Sequence, residues 1–251
     1  MAGHSKWANI KHRKGRMDEQ KGKIFTKLSR EIFVAAKEGG GDPQTNFRLR
    51  MAIEKGKGAN LPNDNIQRSI QKGLGNIEGV SYDTVYYEGY GPAGVAMLVE
   101  SLTDNRNRTV SEVRAIFSKN EGNLGEAGCV SWMFDRKGLI TVNNDSGELD
   151  EEDLMLESIE AGAEDLRVSD SSFEIITQPE DMESVSAALE SMSVKVESAE
   201  LTMLPQNTVT IDDAEVAKSI IKLMTLLDEN DDVQNVYANF DIPDSLEVDF
   251  D

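Results

Sequence analysis

The residues best suited to chemistry in this chain are cations, and they are crowded at its start. Lys6, Lys11, Arg13, Lys14 and Arg16 all precede the first acid, Asp18, with His4, Trp7 and His12 among them. Lys23, Lys27, Arg30 and Lys37 then recur at helical spacing. Residues 1–75 hold 16 Lys and Arg against 7 Asp and Glu, a balance of +9. The remaining 176 residues hold 10 against 39, or −29. Such segregation draws polyanions to one end and repels them from the other, which points to nucleic acid rather than a small substrate. Trp7, His4 and His12 either stack on bases or, for Trp7, dock on the protein's own surface.

A second cationic spot is Thr103-Asp-Asn-Arg-Asn-Arg-Thr109, between a strand end and a helix start. Arg106 and Arg108 offer two planar forks beside free helix N–H groups, suited to phosphate, with Arg114 and Lys119 nearby. The alternative is a polar turn held by Arg–Asp pairs. The predicted nucleic-acid contacts are therefore Lys6, Trp7, Lys11, His12, Arg13, Lys14, Arg16, Lys23, Lys27, Arg30, Arg106 and Arg108.

Other constellations carry less. Two His and one Cys are too few for a His/Cys zinc site, and Cys129 alone forms no internal disulfide. Gly128-Cys129-Val130 reads as a buried small residue rather than a nucleophile. Asp228, Asn230 and Asp232 imitate the start of a calcium loop, but Val233 and Asn239 stand where Gly and Glu are needed. Gly89-Tyr-Gly-Pro-Ala-Gly94 matches a dinucleotide fingerprint letter for letter, yet a strand follows where a helix is required. Acidic runs such as Glu148–Asp153 read as solvated helix starts. No P-loop or nucleophile elbow occurs. No cofactor, metal, catalytic residue or small-molecule substrate is expected. Neither an 18-residue apolar run nor an apolar stretch behind the first cations exists, so no membrane span or secretory signal is expected, and the location expected is cytoplasmic.

The elements that must position these residues begin with a basic arm, 1–20. Its few apolar residues predict that it orders only on a partner. Ile24, Phe25, Leu28 and Ile32 predict a helix over 20–38 with its cations on the far side. Asp42 and Pro43 predict the start of a second helix, which carries two untidy i,i+4 pairs, Phe47/Met51 and Leu49/Ile53. A third runs over about 64–72, with Ile66 and Ile70 inward and Arg68 and Lys72 outward. Strands follow at 82–88 and 95–102, then a helix at 110–119 with a Thr109/Glu112 capping box, and a short strand at 130–134. From 137 the order strand, helix, strand, strand, helix, strand forms a βαββαβ unit. A strand (209–211), a helix (213–227) and a strand (233–240) complete the earlier hairpin into a second sheet. The fold class is α+β: an N-terminal three-helix domain (21–78), a discontinuous α/β domain (79–135 and 205–243), a ferredoxin-like split βαβ domain inserted in it (136–204), and an acidic tail (244–251).

The chain resembles the YebC/PmpR family. The motifs that carry this are Met1-Ala-Gly-His-Ser-Lys-Trp-Ala-Asn-Ile-Lys-His-Arg-Lys14, Gly22-Lys-Ile-Phe-Thr-Lys-Leu28, Leu61-Pro-Asn-Asp-Asn-Ile66, Thr103 to Thr109, Gly122-Asn-Leu-Gly125 with Trp132, and Asp231-Asp-Val-Gln-Asn-Val-Tyr237. Small departures are Glu121, where a neutral small residue is expected, and Gly15-Arg16, where Ala is common. The resemblance implies three domains and nucleic-acid binding without catalysis. The family includes bacterial probable transcriptional regulators and the mitochondrial translational activator of cytochrome c oxidase. Two expectations follow: a DNA-binding transcriptional regulator, or a factor on ribosomal or transfer RNA that helps synthesis through proline-rich stretches. A third class is an acidic module that binds basic proteins.

Overall fold

The computed structural model describes residues 20–77, 82–144, 149–168, 172–243 and 246. Three helices open the described chain: α1 (Gln20–Gly39), α2 (Phe47–Gly58) and α3 (Asn63–Gly73). Their own apolar cluster joins Leu28, Ile32, Leu49, Leu61, Ile66 and Ile70. Gly73 sits where α3 crosses α1: a Cβ there would lie 2.5 Å from the Phe33 carbonyl oxygen, so no larger residue fits.

The start of α2 corrects the sequence reading. Asn46, not Asp42, is its N-cap, and its side chain accepts from the Leu49 N–H at 3.0 Å. The Asn46 amide also donates to the carbonyls of Ala35 and Gly40, both at 2.8 Å. One side chain thus satisfies groups of two elements, which Asp, with no donor, cannot do. Asp42 instead organises the preceding turn, accepting from the Gln44 N–H.

The first sheet has the order β3-β1-β2-β9. Strands β1 (Asp83–Tyr90) and β2 (Ala96–Thr103) form a hairpin in register from Asp83↔Thr103 to Tyr90↔Ala96. A 3-10 turn, Pro92–Gly94, joins them, so the glycine-rich match to a dinucleotide fingerprint is a hairpin turn. β3 (Asn123–Leu124), absent from the sequence reading, adds at one edge and β9 (Val233–Ala238) at the other. Helices α4 (Arg106–Lys119) and α7 (Ala214–Asp228) bring Val113, Phe117, Ile220 and Leu227 into a core with Met97, Val99 and Val236. The strand expected at 209–211 does not enter this sheet: β8 (Val209–Thr210) pairs in parallel with β10 (Phe240–Asp241).

The second sheet has the order β5-β6-β4-β7, that of a split βαβ fold. It comprises β4 (Phe134–Asn143), β5 (Ala163–Val168), β6 (Ser172–Thr177) and β7 (Val196–Pro205). Helices α5 (Glu151–Glu160) and α6 (Met182–Ser191) cover one face through Leu154, Val185 and Leu189. The strand expected at 130–134 is instead a 3-10 turn, Ser131–Met133, leading into β4. Phe47 and Met51 of α2 pack against this second core, which explains the untidy pattern of α2: the helix is apolar on two sides because it is covered on two sides.

Candidate nucleic-acid interface

Of the twelve expected contact residues, seven lie outside the described residues: Lys6, Trp7, Lys11, His12, Arg13, Lys14 and Arg16. The other five are described, and all five meet oxygens of the chain itself.

The sequence expects Lys23, Lys27 and Arg30 on an open helix face. The structure turns that face onto the end of α7 and the turn before β9. Lys23 Nζ donates to the Glu229 carbonyl at 3.0 Å. Lys27 Nζ meets both the carbonyl and the carboxylate of Asp228, the latter at 2.9 Å. Arg30 donates to the carbonyls of Leu102 (3.2 Å) and Asp231 and lies 3.4 Å from the Asp232 carboxylate. Carbonyls at a helix C-terminus have no intrahelical partner and carry the negative end of the dipole, so cations settle there. Arg30 and Lys37 also lie over the rings of Tyr82 and Phe33.

The Thr103–Thr109 segment is a second correction. The N-cap of α4 is Asn105, accepting from the Arg108 N–H at 3.1 Å, rather than Thr109 in a capping box with Glu112. Thr109 is buried one turn inside, where its hydroxyl donates to the Asp232 carboxylate at 2.7 Å. That carboxylate also accepts from Thr103 Oγ1 (3.2 Å) and Arg108 Nη2 (2.6 Å). Burial pushes Asp232 up, but hydrogen bonds from Arg108 and Thr109 and the charges of Arg108 and Arg30 win, so it stays ionised below the usual carboxylate range. Arg108 is shared with Asp104 at 2.9 Å. Arg106 pairs with Asp83 at 3.1 Å but keeps its side chain 65% exposed. The polar turn with Arg–Asp pairs is what the geometry shows.

The cations left open lie elsewhere. Among the described residues of the helical region, Lys57, Arg68 and Lys72 are exposed and make no ion pair or side-chain hydrogen bond. Arg68 and Lys72 are one turn apart on the outer face of α3, and Lys57 ends the neighbouring helix. The i,i+4 spacing opposite Ile66 and Ile70 was their signal in the sequence.

A residue missed by sequence reasoning is Glu88. Its buried carboxylate accepts from the backbone N–H groups of Gly128 (2.7 Å), Val130 (2.8 Å) and Ser131 (2.7 Å). Its signal was an acid between Tyr86 and Tyr90 on one strand face, facing a glycine-punctuated loop. Beside it the Cys129 thiol is pushed up by burial and then by the Glu88 charge, which leaves little thiolate at neutral pH. Trp132, 65% exposed, caps the same loop. No group of three or more His, Cys, Asp or Glu among the described residues is arranged to hold a metal. None of the described helices is long and apolar enough to cross a membrane.

Two family models cover this arrangement. The TACO1/YebC N-terminal domain matches residues 5–76, and the TACO1/YebC second and third domain matches residues 82–240. The chain belongs to the TACO1/YebC family. It is 61% identical to a probable transcriptional regulatory protein of Natranaerobius thermophilus and 57% to one of Desulfitobacterium hafniense, with 98% of each chain covered in both cases. Its fold is similar to the crystal structure of a conserved hypothetical protein from Aquifex aeolicus, with a TM-score of 0.82 and 50% identity, over 91% of this chain and 93% of that one.

Proposed function

We propose that this TACO1/YebC protein is a cytoplasmic, non-enzymatic regulator of gene expression that binds duplex DNA. The observation that carries this is the set of unpaired cations on α2 and α3, Lys57, Arg68 and Lys72, in a region of +9 joined to a body of −29. The arm, Lys6 to Arg16, continues the positive charge, and the exposed Arg106 is a second point of contact. The names of the bacterial relatives support a role in transcription. A second reading, binding of ribosomal or transfer RNA to promote translation, rests on the likeness to the mitochondrial translational activator.

Fluorescence anisotropy on labelled duplex DNA across a salt series tests the phosphate contact. Five engaged phosphates give a log–log slope of roughly −4.5. Changing Lys57, Arg68 and Lys72 together to Ala lowers that slope by about 1 per residue, nearly uniformly across sequences. A slope near zero for the unaltered chain removes the phosphate model. Co-sedimentation with ribosomes, set against purified duplex DNA, separates the two readings.

A further inference from the structure

We propose that Lys23, Lys27 and Arg30 form a polyanion-binding face which the chain itself occupies, so that nucleic acid and the end of α7 compete for the same three cations. The inference rests on the nucleic-acid reading above and adds a regulatory step to it. The three residues fall at i, i+4 and i+7 on α1, a single stripe spanning about 10 Å. Most of the oxygens that meet them are of a kind that imitates phosphate: carbonyls of Asp228, Glu229 and Asp231 at or just beyond the negative end of a helix, and carboxylates of Asp228 and Asp232, with the strand carbonyl of Leu102 beside them on Arg30.

Three features make this contact separable. First, no apolar cluster seals it. The cluster that α1 shares with α2 and α3 draws only on residues 24–70, and the cluster of α7 and the first sheet includes none of these. Second, a polar crevice of about 470 Å³ runs along the contact, lined by Lys23, Arg30, Arg108, Glu112 and the Glu229–Asp232 turn. Third, parting leaves no bare buried charge. Asp232 would keep Arg108 at 2.6 Å and the two threonine hydroxyls, losing only Arg30 at 3.4 Å. Arg30 Nε is buried without an acceptor while docked, so one donor of the fork is idle until an oxygen reaches it.

The test uses the full chain with Asp228→Asn/Asp231→Asn, which removes the carboxylate charge on Lys27 and a second negative charge from the same turn, where Asp231 meets Arg30 through its carbonyl alone, and Glu151→Gln/Glu152→Gln as a control that removes two acids elsewhere. Binding to a labelled DNA duplex and to an RNA hairpin is followed over a potassium chloride series. The first pair binds about 5-fold tighter than the unaltered chain, with a slope steeper by about 1.8 for two added phosphates. The control stays within about 2-fold. Adding Lys23→Ala/Lys27→Ala abolishes the gain, whereas those two changes alone alter affinity little. If the gain survives their addition, it is general relief of repulsion and the proposal is overturned. No gain, in a chain that still binds with a steep salt slope, overturns the competition and leaves the nucleic-acid reading standing. A flat salt response in every variant removes both. Should Asp228→Asn/Asp231→Asn not fold, spin labels at Glu54→Cys and Ser118→Cys in a Cys129→Ser background give a second measurement. Their separation lengthens when duplex binds, and an unchanged distance in the bound chain overturns the proposal.

Discussion

Glu88 shows how one ionised group can hold a loop. An unpaired carboxylate in that buried position would be untenable, and three backbone N–H donors make it stable. Burial alone pushes the group up, but the three donors outweigh it and Glu88 titrates below its ordinary range. Its contribution is therefore complete above the unfolded value of about 4.3 and is lost as pH falls through the lower folded value. Asp232 behaves in the same direction. Glu88→Gln retains shape but removes the charge and points an amide donor at N–H groups. We expect a loss of about 1–3 kcal/mol in urea unfolding at neutral pH, and a weaker dependence of stability on acid than in the unaltered chain. Equal acid sensitivity in both would show that Glu88 does not carry the effect. Glu121 presents the opposite case. It adopts φ +59°, a left-handed conformation that costs a side chain about 1 kcal/mol, and glycine enters it freely. Glu121→Gly should raise the unfolding free energy measured in urea by up to about 1 kcal/mol; a drop would mean the carboxylate has an unrecognised role.

The helices show where a sequence can and cannot be read. Amphipathic spacing located α1 and α3, because one side of each faces an apolar core. It could not tell water from another polar surface on the opposite side, so the cations of α1 read as open while they lie on the α7 turn. The same blindness hid the acids: Asp228, Asn230 and Asp232 have the spacing of a metal loop, and two of them instead meet Lys27 and Arg30, some 200 positions earlier. Caps misled for a related reason. Asp42 and Thr109 have the right residue types, yet Asn46 and Asn105 won the cap positions. In Asn46 the deciding property is a donor beside the acceptor, visible only once Ala35 and Gly40 are in place. Asn46→Ala should therefore cost more than an ordinary cap, about 2 kcal/mol or more by thermal or urea unfolding. Asn46→Asp should recover only part of it. Full recovery would reduce Asn46 to a simple cap.

At the scale of the molecule, the helical region touches both sheets in different ways. It meets the second through apolar Phe47 and Met51 with the ion pairs Arg50–Glu183 and Lys55–Glu200, and the first through the polar contact of α1. Lys55 is held above its ordinary range by Glu31 first, then Glu200, against the effect of burial. Added salt should act unevenly on these contacts. The Debye length is about 10 Å at 0.1 M, and added salt weakens the exposed pairs Arg50–Glu183 and Lys55–Glu200 more than the part-buried Lys27–Asp228 and Arg30–Asp232, but only the α2 contact has apolar burial behind it that persists. Hydrogen exchange in rising potassium chloride should accelerate at α1 and the α7–β9 turn before it does in α2. Uniform acceleration would argue that the helical region moves as one piece.

The chain leaves for the second sheet along β4 and returns along β7, and these strands lie side by side, with Phe134 opposite Pro205. The excursion of some 70 residues therefore begins and ends at nearly one point. Pulled from its two ends, that segment would part like a zip, one rung after another from Phe134 and Pro205 inward, rather than shear along its whole ladder at once. A ribosome, a protease or a translocation motor tugging on either flank would meet its weakest direction first.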